Sequence, residues 1–413
     1  MRILVFSQHF WPESFRINDV AQSLRAAGHE VTVLTGQPNY PGGTVYAGYR
    51  AADTGVERFG AIDVHRVPLV PRGANSARRL VLNYLSFIFS SAIFGTWRLR
   101  GRRFDIVFVY ASSPLLQAIG ATVLARLKGC AIVTWVQDLC PQSLQATGYI
   151  RNPRVLAIVA AVVRGIYRRQ DLVLVQSPGF VEPVRALAPD ALPVRVHPNP
   201  SEDQPDDHAP AALRLPGGFN VVFAGNLGTA QGLDAVLDAA ERLRDLPELR
   251  FVLVGSGQRS DWLHEQVAAR GLGNVLLPGR YAPQQMPAIL AQAQALLVSL
   301  VDDPAMALTV PSKIQSYLAA GKPIVAALHG EGARVVAEAG AGLGCAAGDG
   351  PALARAVRRL QGMSADERAA MGEAGRRYHD EHYAPAVLTP RLIAHLQDAI
   401  DLHLQGRRAR RRQ

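Results

Sequence analysis

Short, unbroken apolar runs, each followed by a stretch of helical spacing, constrain this chain more than any other feature. In the first half they are RILVFS (Arg2–Ser7), EVTVLT (Glu30–Thr35), FDIVFVY (Phe104–Tyr110), AIVTWVQ (Ala131–Gln137), DLVLVQS (Asp171–Ser177) and PVRVHP (Pro193–Pro198). Between the first two lies INDVAQSLRAAG, with Ile17, Val20 and Leu24 on one helical face and a stop at Gly28. A strand apolar on both faces needs cover on both faces, and helices between such strands give a parallel sheet. The spacing predicts an α/β protein. In open sheets of this kind, ligands bind beyond the carboxyl ends of the strands, so the loops after each strand are where chemistry is expected.

The alternation stops at HPNPSEDQPDDHAPAALRLPGG, which holds five prolines and a cluster of acids, and reads as an exposed linker. It restarts with FNVVFAG (Phe219–Gly225), LRFVLVG (Leu249–Gly255), NVLLPG (Asn274–Gly279), AQALLVSL and KPIVAAL. A length of 413 residues exceeds one ordinary core. The expected organisation is a domain over 1–197, a linker over 198–218, a second domain over 219–384, and a terminal helix with a basic tail over 385–413, the helix ending before the arginines. The two doubly wound domains are expected to face each other across a cleft.

Cys130, Cys140 and Cys345 are scattered, without a C-x-x-C pair, which favours a reducing compartment over a disulfide framework or a zinc site. The start, MRILVFSQHFWPE, reads as strand and loop without a signal peptide. A cytoplasmic location is the expectation. The net charge is +10, but eleven arginines sit in two places: Arg78, Arg79, Arg98, Arg100, Arg102 and Arg103, and the tail Arg407, Arg408, Arg410, Arg411 and Arg412. The remainder is close to neutral, so no general nucleic-acid surface is expected. The first cluster brackets Leu80–Trp97, a segment of 18 residues without a charge. It is short for a span, which needs about 20 apolar residues, and it contains Asn83, Ser86, Ser90 and Ser91. Basic flanks with Tyr84, Phe87, Phe89, Phe94 and Trp97 suit a helix lying at a membrane surface. A core helix ending in arginines is the alternative.

The loop after the first run, SQHFWPESFRIND, gathers His9, Trp11, Glu13, Arg16 and Asn18, and it lacks the G-x-G-x-x-G that a dinucleotide fold would carry. A dehydrogenase reading is disfavoured on that ground. In the second half, FAGNLGTAQGLD holds Gly225, Gly228 and Gly232, VGSGQRSDW holds Gly255 and Gly257, and VPSKIQSYLAAGKPIV starts a helix near Pro311 at Ser312 and Lys313. Glycine turns let a backbone approach a ligand, and the unpaired amides of a helix start favour anions. Three phosphate-compatible loops in one domain predict a diphosphate site. The plain alternative for the last is that Ser312 only caps the helix.

These segments together resemble the two-domain glycosyltransferases of group 1 (family 4), whose Rossmann-like domains form the GT-B fold. The resemblance is carried by GHEVTVLT (Gly28–Thr35), the turn from Gly225 to Gly232, the Gly255–Gly257 turn and SYLAAGKPIV (Ser316–Val325). WVQDLCPQSLQATG (Trp135–Gly148) and GNLGTAQGL are similar to segments of the capsule, colanic-acid and O-antigen enzymes. The resemblance implies a retaining transfer from a nucleotide-sugar to a glycan on a polyprenyl diphosphate, and the basic-flanked helix at Leu80–Trp97 would place the first domain at the anionic inner leaflet of the membrane.

The chain departs from the family pattern in informative places. Where relatives carry an Arg and a Lys after the first strand of the second domain, this chain has Asn226 and Gln231, and Leu308 and Ser316 stand where many have glutamates. Ser312, Lys313 and the helix-start amides are therefore expected to supply the charge at the diphosphate. No cofactor is expected beyond the substrate, and no metal: Asp302-Asp303 and Asp206-Asp207 are adjacent rather than spaced as D-x-D. Asp138 is the candidate for handling the acceptor hydroxyl, with capping of the next turn as its alternative. His9 and Arg16 are acceptor-side candidates, Glu331 a contact to donor-sugar hydroxyls, and Arg280 a contact to base or phosphate. His197 and Asn199 are read as hinge. A sugar-nucleotide 2-epimerase on the same fold, and a catalytically silent sugar-nucleotide-binding partner, are the alternative functions. An epimerase leaves the basic apolar helix unexplained, whereas the missing glutamates favour the silent partner.

Overall fold

The computed structural model describes residues 1–73, 76–113, 115–142, 144, 152–201 and 213–412. Most of the acidic linker, including Asp206-Asp207, and the end of the Trp135–Gly148 segment lie outside the described residues. The chain forms two compact units, Met1–Asn199 with Leu388–Gln413, and Pro200–Val387.

The first unit is built on an eight-stranded sheet in the order β3-β4-β2-β1-β5-β6-β7-β8. Its strands are β1 (Arg2–Phe6), β2 (Glu30–Thr35), β3 (Gly55–Phe59), β4 (Ile62–Arg66), β5 (Ile106–Ala111), β6 (Ala131–Val136), β7 (Leu172–Val175) and β8 (Val194–Val196). All pairings are parallel except β3 with β4. The central strands β5 and β6 are buried at every residue, as their continuous apolar runs require. The edge strand β3 instead alternates partly buried with exposed side chains, Glu57 and Arg58 among them, which suits an edge. Helices α1 (Arg16–Ala26), α2 (Ala77–Ser90), α3 (Ala118–Lys128) and α4 (Pro153–Tyr167) cover the sheet.

Helix α2 starts on a Ser76 cap, whose hydroxyl accepts from Arg79 N, and continues through a π-turn at Ser91–Gly95 to Arg98. Asn83, Phe87, Ser91 and Gly95 point inward. Val81, Leu82, Leu85, Phe89, Ile93 and Trp97 point outward, with Phe89 and Ile93 each 63% exposed. Arg78–Arg98 is long and apolar enough to cross a membrane by length and composition. Its inward face is amphipathic rather than apolar all round, because Asn83 Nδ2 donates to Val70 O at 2.6 Å and Asn83 Oδ1 accepts from Gln8 Nε2 at 2.6 Å.

The second unit has a six-stranded parallel sheet in the order β11-β10-β9-β12-β13-β14. Its strands are β9 (Phe219–Ala224), β10 (Leu249–Val254), β11 (Val275–Gly279), β12 (Ala295–Ser299), β13 (Ile324–Ala327) and β14 (Gly342–Cys345). Separate apolar clusters fill its two faces, one around Phe223, Phe251 and Leu297, the other around Val222, Ile314 and Tyr317. The helices are α5 (Leu233–Arg242), α6 (Ser260–Ala269), α7 (Ser312–Ala320), α8 (Glu331–Glu338), α9 (Gly350–Gly362) and α10 (Ala365–His382).

The terminal helix α11 (Pro385–Arg412) differs from the expectation that it stops before the arginines. Arginine is a good helix former, and basic side chains in a last turn suit the helix dipole, so the tail extends the helix. Leu392, Leu396 and Ala399 of α11 belong to the apolar core of the first unit.

Candidate functional site

Each sheet reverses its strand order at one point. In the first unit the chain winds outward from β1 to β2 and restarts on the other side at β5; in the second it winds from β9 to β10 and β11 and restarts at β12. Loops at the carboxyl ends of these strand pairs are where an open sheet leaves room for a ligand.

In the second unit, the turn after β9 lies against the turn after β10. Gly225 N donates to Val254 O at 2.9 Å, and Leu227 N to Ser256 O at 3.0 Å. Gly255 has φ +147°, and a Cβ there would lie 1.8 Å from Gly225 O. No other residue fits, so Gly225 and Gly255 set how closely the two turns approach. Gly257 packs on Asn226 and Leu227 O, while Gly232 sits against Leu300 O after β12. The glycines predicted for a phosphate loop are thus brought together.

Lys313 joins them from α7. Its Nζ donates to Gln231 Oε1 and stands 3.6 Å from the centre of the Phe223 ring, and its Cε would meet a Cβ on Gly225 at 2.7 Å. Burial lowers the amine to about 7. Its partners are one neutral amide and one aromatic face. An anion delivered here would favour the protonated amine, which is already stripped of much of its water. Ser312 does not cap the helix: the cap position is Pro311, which has no side-chain acceptor, and Ser312 is the first helical residue and exposed. Tyr317, one turn further along α7, accepts from Ala224 N at 2.8 Å and fixes α7 to the end of β9. Sequence reasoning missed Tyr317; its i+4 spacing from Lys313 was the available signal.

The other second-unit candidates are placed less tightly. Asn226 is exposed at the Gly225 turn, and Arg280 is exposed just after β11. Glu331 opens α8 and pairs with Arg334 at 2.6 Å, and Arg334 also holds Glu338 at 2.6 Å. The carboxylate is therefore held within its own helix. Asp303 is the cap of the short helix Pro304–Ala307, accepting from Ala305 N and Met306 N, and Asp302 lies 3.0 Å from His329 Nδ1. Among the described residues no group of three His, Cys, Asp or Glu side chains is arranged to hold a metal.

In the first unit, the loop after β1 is organised by a buried contact between His9 and Glu13 that the sequence did not reveal. His9 Nδ1 lies 3.0 Å from Glu13 Oε2, with both side chains buried. Glu13 Oε1 accepts from Asn39 N at 2.7 Å and Tyr40 N at 2.6 Å. His9 also stacks on Phe15, with ring centres 5.1 Å apart. Arg66, from β4, closes the loop by donating to Glu57, Gly36 O and Trp11 O. Spacing of i, i+4 places His9 and Glu13 together only because the loop turns, so the sequence named Glu13 as polar without giving it a role.

The charges of Arg16 and Asp138 both act on Tyr110. Burial pushes the Tyr110 hydroxyl up to about 12, with the Arg16 charge opposing and the Asp138 charge adding to it. Asp138 itself follows β6; burial raises its carboxyl above the usual range, against the effect of a hydrogen bond with Ser113. A carboxyl raised by desolvation is the kind of group that holds or passes a proton. His197 O accepts from Trp135 Nε1 at 2.8 Å, and Asn199 Nδ2 donates to Gln137 Oε1 at 2.8 Å. Both residues predicted for the hinge thus anchor the end of the first unit.

Residues 14–200 match the family described as Glycosyl transferase 4-like domain, and residues 218–362 match Glycosyl transferases group 1. A curated relative, the putative colanic acid biosynthesis glycosyl transferase WcaI of Escherichia coli K12, is 31% identical over 338 residues, which cover 78% of this chain and 82% of that protein. The chain belongs to the group 1 glycosyltransferases. A probable glycosyltransferase of Pseudomonas aeruginosa, WbjE, is 25% identical over 300 residues, covering 69% of this chain and 74% of its own. Solved structures with the same fold include sucrose-phosphate synthase of Thermosynechococcus elongatus, with TM-score 0.74, 17% identity, and coverage of 96% and 98% of the two chains. HepE of Anabaena, solved with UDP and glucose, gives TM-score 0.67 at 17% identity and covers 96% and 99%. This group 1 glycosyltransferase therefore carries its two Rossmann-like sheets in the GT-B arrangement of elements.

Proposed function

We propose that this glycosyltransferase takes a sugar from a nucleotide-sugar donor and transfers it, with retention at the anomeric carbon, to a lipid-linked glycan in surface-polysaccharide assembly. The observation that carries the donor half is Lys313, a half-buried amine beside the glycine turns whose hydrogen-bond partner Gln231 is neutral, so that an arriving anion would favour its charged form. Breaking the bond from the anomeric carbon leaves negative charge on the departing diphosphate. A preorganised cation at that end lowers the barrier because it gains most when the charge is fullest. In this reading Lys313, Ser312 and the first amides of α7 supply the charge, with Asn226 and Arg280 as outer contacts, and no metal takes part. WcaI is described as a putative colanic acid biosynthesis glycosyl transferase, which favours polysaccharide assembly, and HepE was solved with UDP and glucose, which favours a nucleotide-sugar.

The acceptor half rests on the first unit. In this reading Arg16 and Asp138, whose charges both act on Tyr110, orient the incoming hydroxyl, and the raised carboxyl of Asp138 supports its taking up the proton. The outward apolar face of α2, bracketed by Arg78, Arg79, Arg98 and Arg100, supports docking on an anionic cytoplasmic membrane surface, where a polyprenyl-diphosphate glycan would be found. The deciding experiment incubates the protein with sugar nucleotides, with and without EDTA, first in a thermal-shift series and then with a polyprenyl-diphosphate-linked glycan. Ligands that bind only the folded state raise Tm by mass action. NMR of the product gives the anomer. The expected result is a shift with one sugar nucleotide that EDTA leaves intact, and a retained configuration. Absence of a shift with every sugar nucleotide overturns the donor half, and an inverted product overturns the mechanism.

A further inference from the structure

At the opposite end of the first sheet from the His9 loop, a cavity of about 360 Å³ opens between α3, α4 and α11. It lies beside the amino ends of β6 and β7, lined there by Ile132 and Asp171. Arg126, Arg168, Arg169 and Arg407 line it, together with one acid, Asp171. That carboxylate is engaged: Asp171 Oδ2 accepts from Ile132 N at 2.8 Å and lies 3.2 Å from His403 Nδ1. The other ring nitrogen of His403, Nε2, is buried and has no hydrogen-bond partner. Arg407 reaches across from α11 and donates to Gly129 O at 2.7 Å, and Arg169 donates to Gly165 O.

Part of this pattern has an ordinary cause. Arg126 is in the last turn of α3, and Arg168 and Arg169 follow α4, where basic side chains suit the helix dipole. The dipole does not explain why a third helix brings Arg407 and the orphaned His403 Nε2 to the same cavity. Like charges gathered around a concavity repel one another and focus a positive potential into it. Arginine forks suit phosphate oxygens.

We propose that this cavity is an anion site for a phosphate group, separate from the loops around Lys313. The phosphate could be the diester of an anionic lipid headgroup or a soluble phosphate; the chemistry recognised is the same. The site ties α11 to α3 and α4, so its occupant would fasten the terminal helix onto the first unit.

The test is calorimetric titration of inorganic pyrophosphate into the full chain carrying Lys313→Ala, which weakens competition from the glycine turns. Binding is expected, and adding Arg168→Ala with Arg407→Ala should weaken it at least tenfold, about the effect of one lost charge-assisted contact. Because removing arginines could disturb folding, Gly406→Trp is the second variant. Gly406 lines the cavity, and a Cβ there meets nothing within 4 Å, so the indole fills the space while every charge stays. It too should weaken pyrophosphate binding at least tenfold while leaving the circular dichroism spectrum and Tm in place. Flotation with phosphatidylglycerol and phosphatidylcholine vesicles separates the sources. A loss of phosphatidylglycerol binding in Gly406→Trp assigns a lipid headgroup; unchanged vesicle binding with lost pyrophosphate binding assigns a soluble phosphate. No pyrophosphate binding to the Lys313→Ala chain at millimolar concentration, or an unchanged isotherm in Gly406→Trp, overturns the proposal.

Discussion

Donor affinity should depend on pH through Lys313 in a way that few other placements would produce. The free amine sits at about 7, lowered from 10.5 by burial, and among the described residues its hydrogen-bond partner is the neutral Gln231 amide. A diphosphate supplies a negative partner, so the protonated form is the form that binds and the bound amine titrates higher. At pH 7 about half of the free molecules are protonated, so binding takes up roughly 0.5 proton. Above the free value each pH unit removes about a factor of ten of the protonated form, and Kd rises by roughly fiftyfold between pH 7 and 9. The apoprotein runs the other way. A lysine depressed in the folded state binds more protons when unfolded between about 7 and 10.5, so its contribution to stability improves as pH rises through that window. Affinity falls while stability rises.

The assay is calorimetry with a sugar nucleotide whose diphosphate diester does not itself titrate in this range. Runs at pH 7 in two buffers of different ionisation enthalpy give the proton count, and a series from pH 6 to 9 gives the slope. Lys313→Met keeps the stem and removes the charge. It should weaken binding by about ten- to a hundredfold near neutral pH, the range of a charge-assisted contact, and should flatten the profile. A wild-type Kd that is constant from pH 7 to 9, or a slope that survives in Lys313→Met, refutes the reasoning.

Other consequences follow from single positions. Gly255→Ala puts a Cβ 1.8 Å from Gly225 O at φ +147°, so it should lower Tm by several degrees, about 2–4 °C per kcal/mol for a domain of this size, and abolish sugar-nucleotide shifts. Phe89→Gln with Ile93→Gln alters two outward side chains, each 63% exposed, and should leave Tm nearly unchanged while sharply reducing co-flotation with anionic vesicles. Glu13→Ala orphans the buried amides of Asn39 and Tyr40 and should cost about 2–3 kcal/mol in urea unfolding; a cost near zero would remove Glu13 from its role in shaping the loop. His65 and His197 are held neutral by burial, at about 4 and about 3, so the unfolded chain takes up their protons first as pH falls. Stability should drop from about pH 6.5 downward, and His197→Phe should soften that drop in a denaturation series across pH 4–7.

How much of this could be read from the sequence depended on the range of the interactions. Strands β5, β6, β9 and β10 were legible because burial on both faces writes a continuous apolar run into a few adjacent residues. Strands β3 and β4 escaped because an antiparallel edge pair mixes charges such as Glu57, Arg58 and Asp63 into its pattern. The end of α11 escaped because a run of arginines reads as a solvated tail and helical propensity alone does not distinguish the two. Glu13 needed the amides of Asn39 and Tyr40, delivered by a loop 26 and 27 residues away, which no local pattern encodes. Lys313 is the instructive case. It is 82 residues from Gln231, and only the departures from the family pattern linked the two: a neutral side chain where relatives carry a cation, and a cation on the first turn of a distant helix. Their side chains meet in the fold, with Lys313 Nζ at the end of the Gln231 amide. The glycine at 225 makes this meeting possible, since a Cβ there would lie 2.7 Å from the Lys313 stem.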